Sequence, residues 1–239
     1  MFTKLFNKEI LLHHTTDLHS HLIPAIDDGS QTLEQSIKII EKLEEIGFKK
    51  IITTPHIMSH RFPNTKEKIL KNHSILKNEL IRRNININLD IGAEYYYDEH
   101  FVDLIKKDEL LSFGDNYILF EFSYHIKPFA LRETMLMLRE AGYKPILAHP
   151  ERYKYLSTKE DYLSLKKIGM FFQINNISTQ GFYGKSVQKS VQIIIDLGLV
   201  DFIGSDIHSE KYLDSFIKSL QNKTYTKVMI KNNIKNDYL

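Results

Sequence analysis

One segment of the sequence indicates the fold most clearly. It reads Lys144-Pro145-Ile146-Leu147-Ala148-His149-Pro150-Glu151-Arg152-Tyr153. Residues 144–148 are a short apolar run typical of a buried strand, and the chain turns polar directly after it, at His149. A stretch with helical spacing of apolar residues, 131–140, precedes the run and ends at Ala141-Gly142. The segment is therefore one strand of a strand–helix repeat, and the strand ends on a residue able to carry chemistry.

The same unit repeats along nearly the whole chain. Strands are predicted for residues 15–19, 50–54, 85–92, 117–122, 144–148, 170–175 and 200–204. Helices are predicted for residues 33–46, 64–83, 131–140, 161–168 and 186–197, and a last helix with a frayed end for 223–239. Because strands that alternate with helices form parallel sheets, the sequence predicts an α/β fold, and we expect a closed barrel rather than an open sheet.

Composition excludes several classes of protein. The 239 residues include 32 Lys and Arg, 30 Asp and Glu and no Cys, for a net charge of +2. Without cysteine there is no disulfide, no thiolate metal site and no cysteine nucleophile. The balanced charge gives no reason to expect nucleic acid as a partner, and no apolar run is long enough for membrane insertion. We expect a cytoplasmic protein with one domain, residues 15–239, after an extension, residues 1–14, that packs outside the barrel or mediates self-association.

Residues able to bind a metal ion lie at the end of nearly every predicted strand. They are His19, His21, His56, Glu94, Glu121, His149, Asp206 and His208. Each alone would more often be a capping or surface residue, but the carboxyl ends of barrel strands meet at one face, so these side chains should converge. Imidazole and carboxylate ligands suit Mn, Fe, Zn or Mg. Eight ligands exceed the needs of one ion, which favours two or three ions able to activate water and to clamp a phosphate.

Seven motifs, taken in order, resemble the polymerase-and-histidinol-phosphatase (PHP) superfamily. Within it the chain is most similar to the bacterial manganese-dependent tyrosine-protein phosphatases of capsule and exopolysaccharide clusters, from residue 15 to about residue 235. A His-x-His pair alone is a weak signal, but the ordered set is highly specific. The motifs are Asp17-Leu18-His19-Ser20-His21, Asp27-Asp28-Gly29, Thr54-Pro55-His56, Gly92-Ala93-Glu94-Tyr95-Tyr96, Phe120-Glu121-Phe122-Ser123, His149-Pro150-Glu151-Arg152-Tyr153 and Gly204-Ser205-Asp206-Ile207-His208.

The resemblance implies a distorted seven-stranded β/α (TIM-like) barrel that holds three metal ions, with manganese as the expected metal. It implies that the first ion binds His19, His21, Glu94 and Asp206. A second ion would share Glu94 and add Glu121 and His149, and a third would bind Asp27, His56 and His208. Whether Asp27 or its neighbour Asp28 is the ligand stays open. The implied substrate is the phosphotyrosine tail of a bacterial tyrosine kinase.

The residues themselves agree with phosphoester hydrolysis. A hydroxide that bridges two metal ions is a strong nucleophile, so no protein nucleophile is needed. Arg152 follows the ligand His149 closely, and its planar guanidinium suits a paired contact with phosphoryl oxygens. Asp206 is a candidate acceptor for the proton of the attacking water, and His208 or a metal-bound water a candidate donor to the leaving group. Relatives of the capsule type tend to carry a second arginine after the Asp-x-His motif, where this chain offers only Lys211.

Three functions remain open from the sequence. The first is a tyrosine phosphatase, expected to have a shallow, open site for a protein tail. The second is a phosphatase for a small metabolite such as histidinol phosphate, expected to have a deep, capped site, or a phosphoesterase for nucleic-acid ends. The third is a non-catalytic binding module of a capsule complex, which is disfavoured because every metal position keeps a residue able to bind an ion.

Overall fold

Short apolar runs form the strands of the protein, which is described by a computed structural model over residues 12–239. Nine strands occur in this part of the chain: β1 Thr16–Asp17, β2 Lys50–Thr53, β3 His56–Ile57, β4 Asn88–Ile91, β5 Glu94–Tyr96, β6 Tyr117–Glu121, β7 Lys144–Ala148, β8 Phe171–Asn175 and β9 Phe202–Gly204. Every strand pairs in parallel with its neighbours, in a three-stranded sheet of order β1-β2-β4 and a six-stranded sheet of order β3-β5-β6-β7-β8-β9.

Helices connect the strands. Within residues 12–239 they are α1 Leu33–Glu45, α2 Lys66–Arg82, α3 Glu99–Lys107, α4 Leu131–Glu140, α5 Lys159–Lys167, α6 Lys185–Asp196, α7 Glu210–Leu220 and α8 Lys223–Lys231, with short 3-10 helices at Pro150–Arg152, Asn176–Gln180 and Asn236–Tyr238. Thr32 caps α1 as predicted, because its side chain accepts a hydrogen bond from the Gln35 amide. Sequence reasoning missed α3, although Asp98 caps it in the same way by accepting from the Phe101 amide.

Two of the seven predicted strands are each followed by a short additional strand. The run 50–54 continues after Pro55 as β3, and the run 85–92 begins late and continues after Gly92 as β5. Proline carries no N–H to donate to a ladder, so a strand is interrupted where it occurs. The Glu94 amide donates to the Pro55 carbonyl over 3.1 Å, which carries the parallel pairing past both breaks. The parallel pairing of β2 with β4 is therefore followed by the parallel pairing of β3 with β5.

The predicted parallel α/β architecture is confirmed, but the seven continuous strands are not found. The residues after β1 also lie beside those after β9. The Asp206 amide donates to the His19 carbonyl over 2.8 Å, and the His21 amide donates to the Ile207 carbonyl over 3.0 Å. These two bonds bring the first and last predicted ligand motifs side by side. Closure of the two sheets into one barrel stays a prediction.

A small apolar cluster lies beneath these strand ends. It consists of Leu18, Ile52, Phe113, Leu119, Ile146, Ala148 and Phe202, all buried. Residues two apart on a strand share a face, so Leu119 in this cluster places Glu121 on the same side of β6. The cluster thereby forms an apolar layer below the candidate ligands. A larger core packs between the strands and the helices.

The two ends of the described chain are tied together. An oxygen of the Asp237 carboxylate accepts hydrogen bonds from the Thr15 and Thr16 amides at 2.8 and 2.9 Å, and Asn236 is buried. The helix predicted for residues 223–239 ends at Lys231, and the prediction of a frayed end is wrong, because Asp237 is hydrogen-bonded to the start of β1. Of the predicted extension, residues 12–14 are described and His14 is buried, while residues 1–11 lie outside the described residues. Among residues 12–239, no helix is both long and apolar enough to span a bilayer.

Candidate metal centre

The strand ends bring the predicted ligands together. Eight of the nine, with Asp28 in addition, fall into four overlapping groups, and within each group the candidate ligand atoms lie within 4.8 Å of one another. The groups are His21, Asp28, His56 and His208; His19, Glu94 and His149; His19, His21 and Asp206; and His56, Glu94 and Glu121. The side chains of these residues are buried, apart from the partly exposed His208 and the exposed Asp28.

Glu94, the first residue of β5, lies at the middle of the cluster. Its Oε2 is 3.1 Å from His19 Nε2, 3.3 Å from His21 Nε2 and 3.3 Å from His56 Nδ1. Its other oxygen, Oε1, is 3.1 Å from His149 Nε2. The two oxygens thus face different sets of imidazoles, which is the arrangement of a carboxylate that bridges two ions.

The hydrogen bonds around His19 and His21 fix which nitrogen faces the centre. His19 Nδ1 donates to Gln173 Oε1 over 2.8 Å, and His21 Nδ1 donates to the Asp27 carboxylate over 2.9 Å. The Nε2 atoms of the two rings then face each other across 3.3 Å. Such outer partners orient histidines that bind metals.

The donor set fits metal ions. Asp206 Oδ1 completes the group around His19 and His21, at 3.4 and 3.5 Å from their Nε2 atoms. Ligands about 2.0–2.1 Å from a common ion in tetrahedral geometry are separated by about 3.3 Å, close to these distances. With Nδ1 of each ring engaged elsewhere, the two Nε2 atoms and the two carboxylate oxygens converge on one point. A cation bound there would contact all four.

Asp27 and Asp28 differ in what their carboxylates touch. The Asp27 carboxylate accepts from His21 Nδ1, from the His56 amide at 3.0 Å and from the Gly29 amide at 2.9 Å, and so holds the ligand loop in place. Asp28 Oδ1 is instead 3.5 Å from His56 Nε2 and 3.5 Å from His208 Nε2. Of the two aspartates, Asp28 therefore has the carboxylate that lies near the His56 and His208 imidazoles.

Backbone constraints hold the ligands close to each other. His149 and Asp206 have φ angles of +35° and +53°, a region that costs non-glycine residues about 1–2 kcal/mol and that is concentrated at functional sites. Gly29 and Gly204 instead allow neighbouring atoms to approach the backbone closely. A Cβ on Gly29 would lie 2.1 Å from the His21 carbonyl oxygen, and one on Gly204 would lie 2.7 Å from the His19 Cβ. Neither position has room for a side chain.

Electrostatics separate the two central glutamates. Burial, reinforced by the Glu94 carboxylate, raises the pKa of Glu121 well above its ordinary value. Burial would also raise the pKa of Glu94, but the imidazoles of His19 and His56 hold it well below. Burial and the Arg152 guanidinium lower the pKa of His149 to about 4. Glu94 is thus kept ionised and His149 neutral, the forms in which both bind metals.

Arg152 is held at the edge of the cluster. Its guanidinium lies 4.8 Å from the ring centre of Tyr124 and 4.3 Å from that of Tyr183, and Nη1 donates to Asp206 Oδ2 over 3.0 Å. Asn175 Nδ2 donates to the same oxygen over 2.6 Å. Sequence reasoning predicted Arg152 but missed Tyr124, whose position beside Glu121 in the chain was the available signal.

These contacts bear on the proton-transfer roles predicted for Asp206 and His208. One carboxylate oxygen of Asp206 faces the imidazoles, and the other accepts from Arg152 and Asn175. His208 Nδ1 lies 2.9 Å from the Asp206 carbonyl, and Nε2 faces Asp28. The polar atoms of both side chains are therefore already engaged.

A cavity of about 880 Å³ opens over the cluster. Arg152 and Lys211 both line it, as predicted, and so do His60 and His125 at its mouth. Arg61, which sequence reasoning missed, lines it as well. Arg61 Nη2 is 3.4 Å from Asp28 Oδ2, and the guanidinium lies 4.8 Å from the ring centre of Phe62. The opening thus carries one more guanidinium than predicted.

The fold and these ligand groups define an α/β protein with a buried cluster able to hold metal ions. A sequence model of the family described as "Capsular polysaccharide synthesis, CpsB/CapC" matches residues 15–236. The chain therefore belongs to this family, and the family predicted from the motifs is confirmed.

Three proteins with similar sequences carry names of tyrosine-protein phosphatases. The putative tyrosine-protein phosphatase CapC of Staphylococcus aureus is 30% identical over 208 residues, which are 86% of this chain and 82% of the relative. The tyrosine-protein phosphatase YwqE of Bacillus subtilis is 31% identical over 198 residues, 82% of this chain and 78% of the relative. The tyrosine-protein phosphatase CpsB of Streptococcus pneumoniae is 30% identical over 202 residues, 81% of this chain and 82% of the relative.

Solved structures show the same relationship. A crystal structure from a study of YwqE from Bacillus subtilis and CpsB from Streptococcus pneumoniae, described as unique metal-dependent tyrosine phosphatases, superposes with a TM-score of 0.78 and 26% identity over 90% of each chain. A putative histidinol phosphatase of Listeria monocytogenes superposes with a TM-score of 0.52 and 12% identity over 88% of this chain and 99% of the other. The second similarity concerns the fold alone.

Proposed function

We propose that this protein is a manganese-dependent protein-tyrosine phosphatase of the cytoplasm that acts on the phosphotyrosine tail of a bacterial tyrosine kinase of polysaccharide synthesis and export. The observation that carries the proposal is the position of Glu94, whose two oxygens face separate sets of imidazoles. A chain without cysteine needs a nucleophile other than a thiolate, and the family's named relatives are tyrosine phosphatases.

We propose that the two sheets together form a barrel. We assign the metal ligands at its strand ends by the contacts between their side chains. One ion would be held by His19, His21, Glu94 and Asp206; a second by Glu94, Glu121 and His149; and a third by Asp28, His56 and His208. Divalent ions held there would supply an activated water and neutralise phosphoryl oxygens. Asp27 acts as a positioning residue, because its carboxylate orients the His21 imidazole.

The chain's own cations complete the phosphate site. Arg152 is held by Asp206 and by two aromatic rings, so its planar fork is oriented before substrate arrives. Arg61 also lines the opening, next to Asp28, and would supply the second guanidinium that the segment after Asp206 lacks. Lys211 on the rim would add a positive charge without a fixed orientation. Asp206 and His208 serve as ligands in this proposal rather than as proton carriers.

Substrate preference tests the proposal. The full chain with added Mn²⁺ is assayed on a phosphotyrosine peptide, on the same peptide with phosphoserine, and on histidinol phosphate. The proposal predicts that the phosphotyrosine peptide has the highest kcat/KM and that Glu94→Gln loses hydrolysis of it. A preference for histidinol phosphate would favour a metabolite phosphatase, and no hydrolysis of any ester would favour a binding module. Either result would contradict the proposal.

A further inference from the structure

A second cavity, of about 700 Å³, adjoins the opening over the metal centre. It is a groove between α3, α4 and the loop of residues 123–130, and we call it the α3–α4 groove. Tyr96 and Ser123 line both the groove and the opening. A polypeptide that places one side chain in the opening would therefore pass directly into the groove.

The loop beside the groove exposes two large apolar side chains. Ile126 is 72% exposed and Phe129 is 90% exposed, and both line the groove. The loop is fixed at this point, because the Tyr97 hydroxyl donates to the Phe129 carbonyl over 2.7 Å. Single exposed apolar residues need no explanation, but two that are three residues apart at the mouth of a groove are typical of a binding surface.

The groove also carries an excess of negative charge. Its lining includes four carboxylates, Asp98, Glu99, Asp103 and Glu133, against the two cations Lys106 and Lys127. Asp103 pairs with Lys106 at 3.4 Å, and Asp98 accepts hydrogen bonds from Ser59 and from the Phe101 amide. Glu99 and Glu133 form no ion pair with any residue from 12 to 239. Two carboxylates are thus free to meet a cationic partner.

We propose that the α3–α4 groove binds the stretch of the substrate polypeptide next to its phosphotyrosine. The recognised stretch carries a large apolar side chain, which packs on Ile126 and Phe129, and a lysine or arginine, which faces Glu133. The inference rests on the proposed function, because continuity with the opening is what selects a phosphotyrosine polypeptide as the occupant. It goes beyond that function by assigning sequence preference to a surface outside the metal centre.

Three phosphotyrosine peptides test the inference. One is flanked on both sides by serines, one by Leu and Lys, and one by Leu and Glu, and p-nitrophenyl phosphate measures turnover without flanking residues. For wild type, kcat/KM should be about tenfold higher with the Leu and Lys peptide than with the serine peptide. Burial of one apolar side chain provides enough free energy for a difference of this size. The double variant Ile126→Ser, Phe129→Ser should lose this preference and keep its turnover of p-nitrophenyl phosphate.

Two further variants separate the groove from a general effect. Leu136→Ser removes an apolar side chain on α4 that is 56% exposed and does not line the groove, and it should behave as wild type. Glu133→Lys should prefer the peptide with Glu over the one with Lys, which a merely structural role for Glu133 does not explain. Thermal unfolding of each variant reports its folding.

The outcomes are distinct. Equal kcat/KM for all three peptides, or unchanged preference in the double variant, would overturn the groove and leave the phosphatase activity intact. A double variant with altered oligomeric state and unchanged peptide preference would make the groove a contact between copies of the chain, and would also overturn the inference. Hydrolysis of other phosphate esters without any phosphotyrosine peptide would overturn the proposed function, and the groove inference with it.

Discussion

The Arg152 guanidinium donates a hydrogen bond to Asp206 Oδ2 over 3.0 Å, while Asp206 Oδ1 faces the paired imidazoles of His19 and His21. One carboxylate thus links the cluster of candidate ligands to the cation at the edge of the opening. Arg152 follows β7 and Asp206 follows β9, so the contact depends on the parallel arrangement that brings these strand ends together. The candidate metal ligands and the proposed phosphate contact are physically coupled through it.

Arg152→Ala should lower turnover of a phosphotyrosine peptide by about 10²–10³, the typical effect of losing one preoriented donor. Arg152→Lys should recover only part, because an ammonium cannot make the paired contact. Steady-state kinetics measure the effect, and metal analysis of each variant separates it from loss of ions through Asp206. Arg132→Ala, on the exposed face of α4, is the matched control. Wild-type turnover in Arg152→Ala would place the phosphate contact elsewhere.

Arg61 and Lys211 should differ in their effects on substrate binding. Arg61→Ala is expected to raise KM about tenfold, since a guanidinium contact to a charged group contributes about 1.5–3 kcal/mol and the side chain is 60% exposed. Lys211→Ala should raise KM less, because a flexible ammonium on the rim gives charge without fixed geometry. Both KM values are measured with one phosphotyrosine peptide. An equal or larger effect from Lys211→Ala would assign the second cation to Lys211.

Asp27 and Asp28 should separate in metal binding. Asp28→Ala is expected to reduce the number of Mn²⁺ ions bound per chain by one, because it removes a ligand of the outermost group. Asp27→Asn should leave the number unchanged at saturation but weaken affinity about 10–100-fold, the usual effect of losing an outer partner of a ligating histidine. Equilibrium dialysis gives both quantities. A lost ion in Asp27→Asn with full occupancy in Asp28→Ala would reverse the assignment.

His14 should make stability depend on pH. Burial lowers the pKa of His14 from its ordinary 6.5 to about 4, so between these values the unfolded chain takes up a proton and the folded chain does not. Its contribution is present above pH 6.5 and is lost as the pH falls to 4, by up to about 3 kcal/mol.

Urea unfolding between pH 7 and pH 4.5 measures this dependence. The difference between wild type and His14→Gln cancels the titration of the metal ligands, and the free energy of unfolding should fall less steeply with pH in the variant. His13→Gln, an exposed neighbour, should match wild type. Parallel curves for wild type and His14→Gln would show that the pKa of His14 is the same in the folded and unfolded chain, and would contradict the prediction.

The alternation of strands and helices, and the ligand residues, were readable from the sequence because they depend on periodicity and on residue type. The short strands β3 and β5 after Pro55 and Gly92 were not, because runs of two and three residues are too short to show a strand period. Pro55 lies one residue before His56, and Gly92 lies two residues before Glu94. The same local irregularity that obscures the strand count therefore positions two of the ligands.

Side-chain direction was the other missing information. Asp27 and Asp28 are adjacent and chemically identical, and only the backbone of their loop decides that one faces His21 Nδ1 and the other His208. Arg61 lies in an irregular loop after β3, with no motif to mark it, and only the folded chain brings it to Asp28. Positive φ at Asp206 is equally invisible in the sequence, because aspartate tolerates that region but its presence does not show where the chain adopts it.

The most direct test of the account is hydrolysis of a phosphotyrosine peptide by protein stripped with a chelator and then titrated with Mn²⁺, with bound ions counted at each step. The account predicts no turnover in the verified metal-free protein, recovery as the ions bind, and none in Glu94→Gln at any Mn²⁺ concentration. His100→Ala, which changes an exposed histidine on α3, should recover like wild type. Undiminished hydrolysis by metal-free protein, or full recovery in Glu94→Gln, would contradict the account.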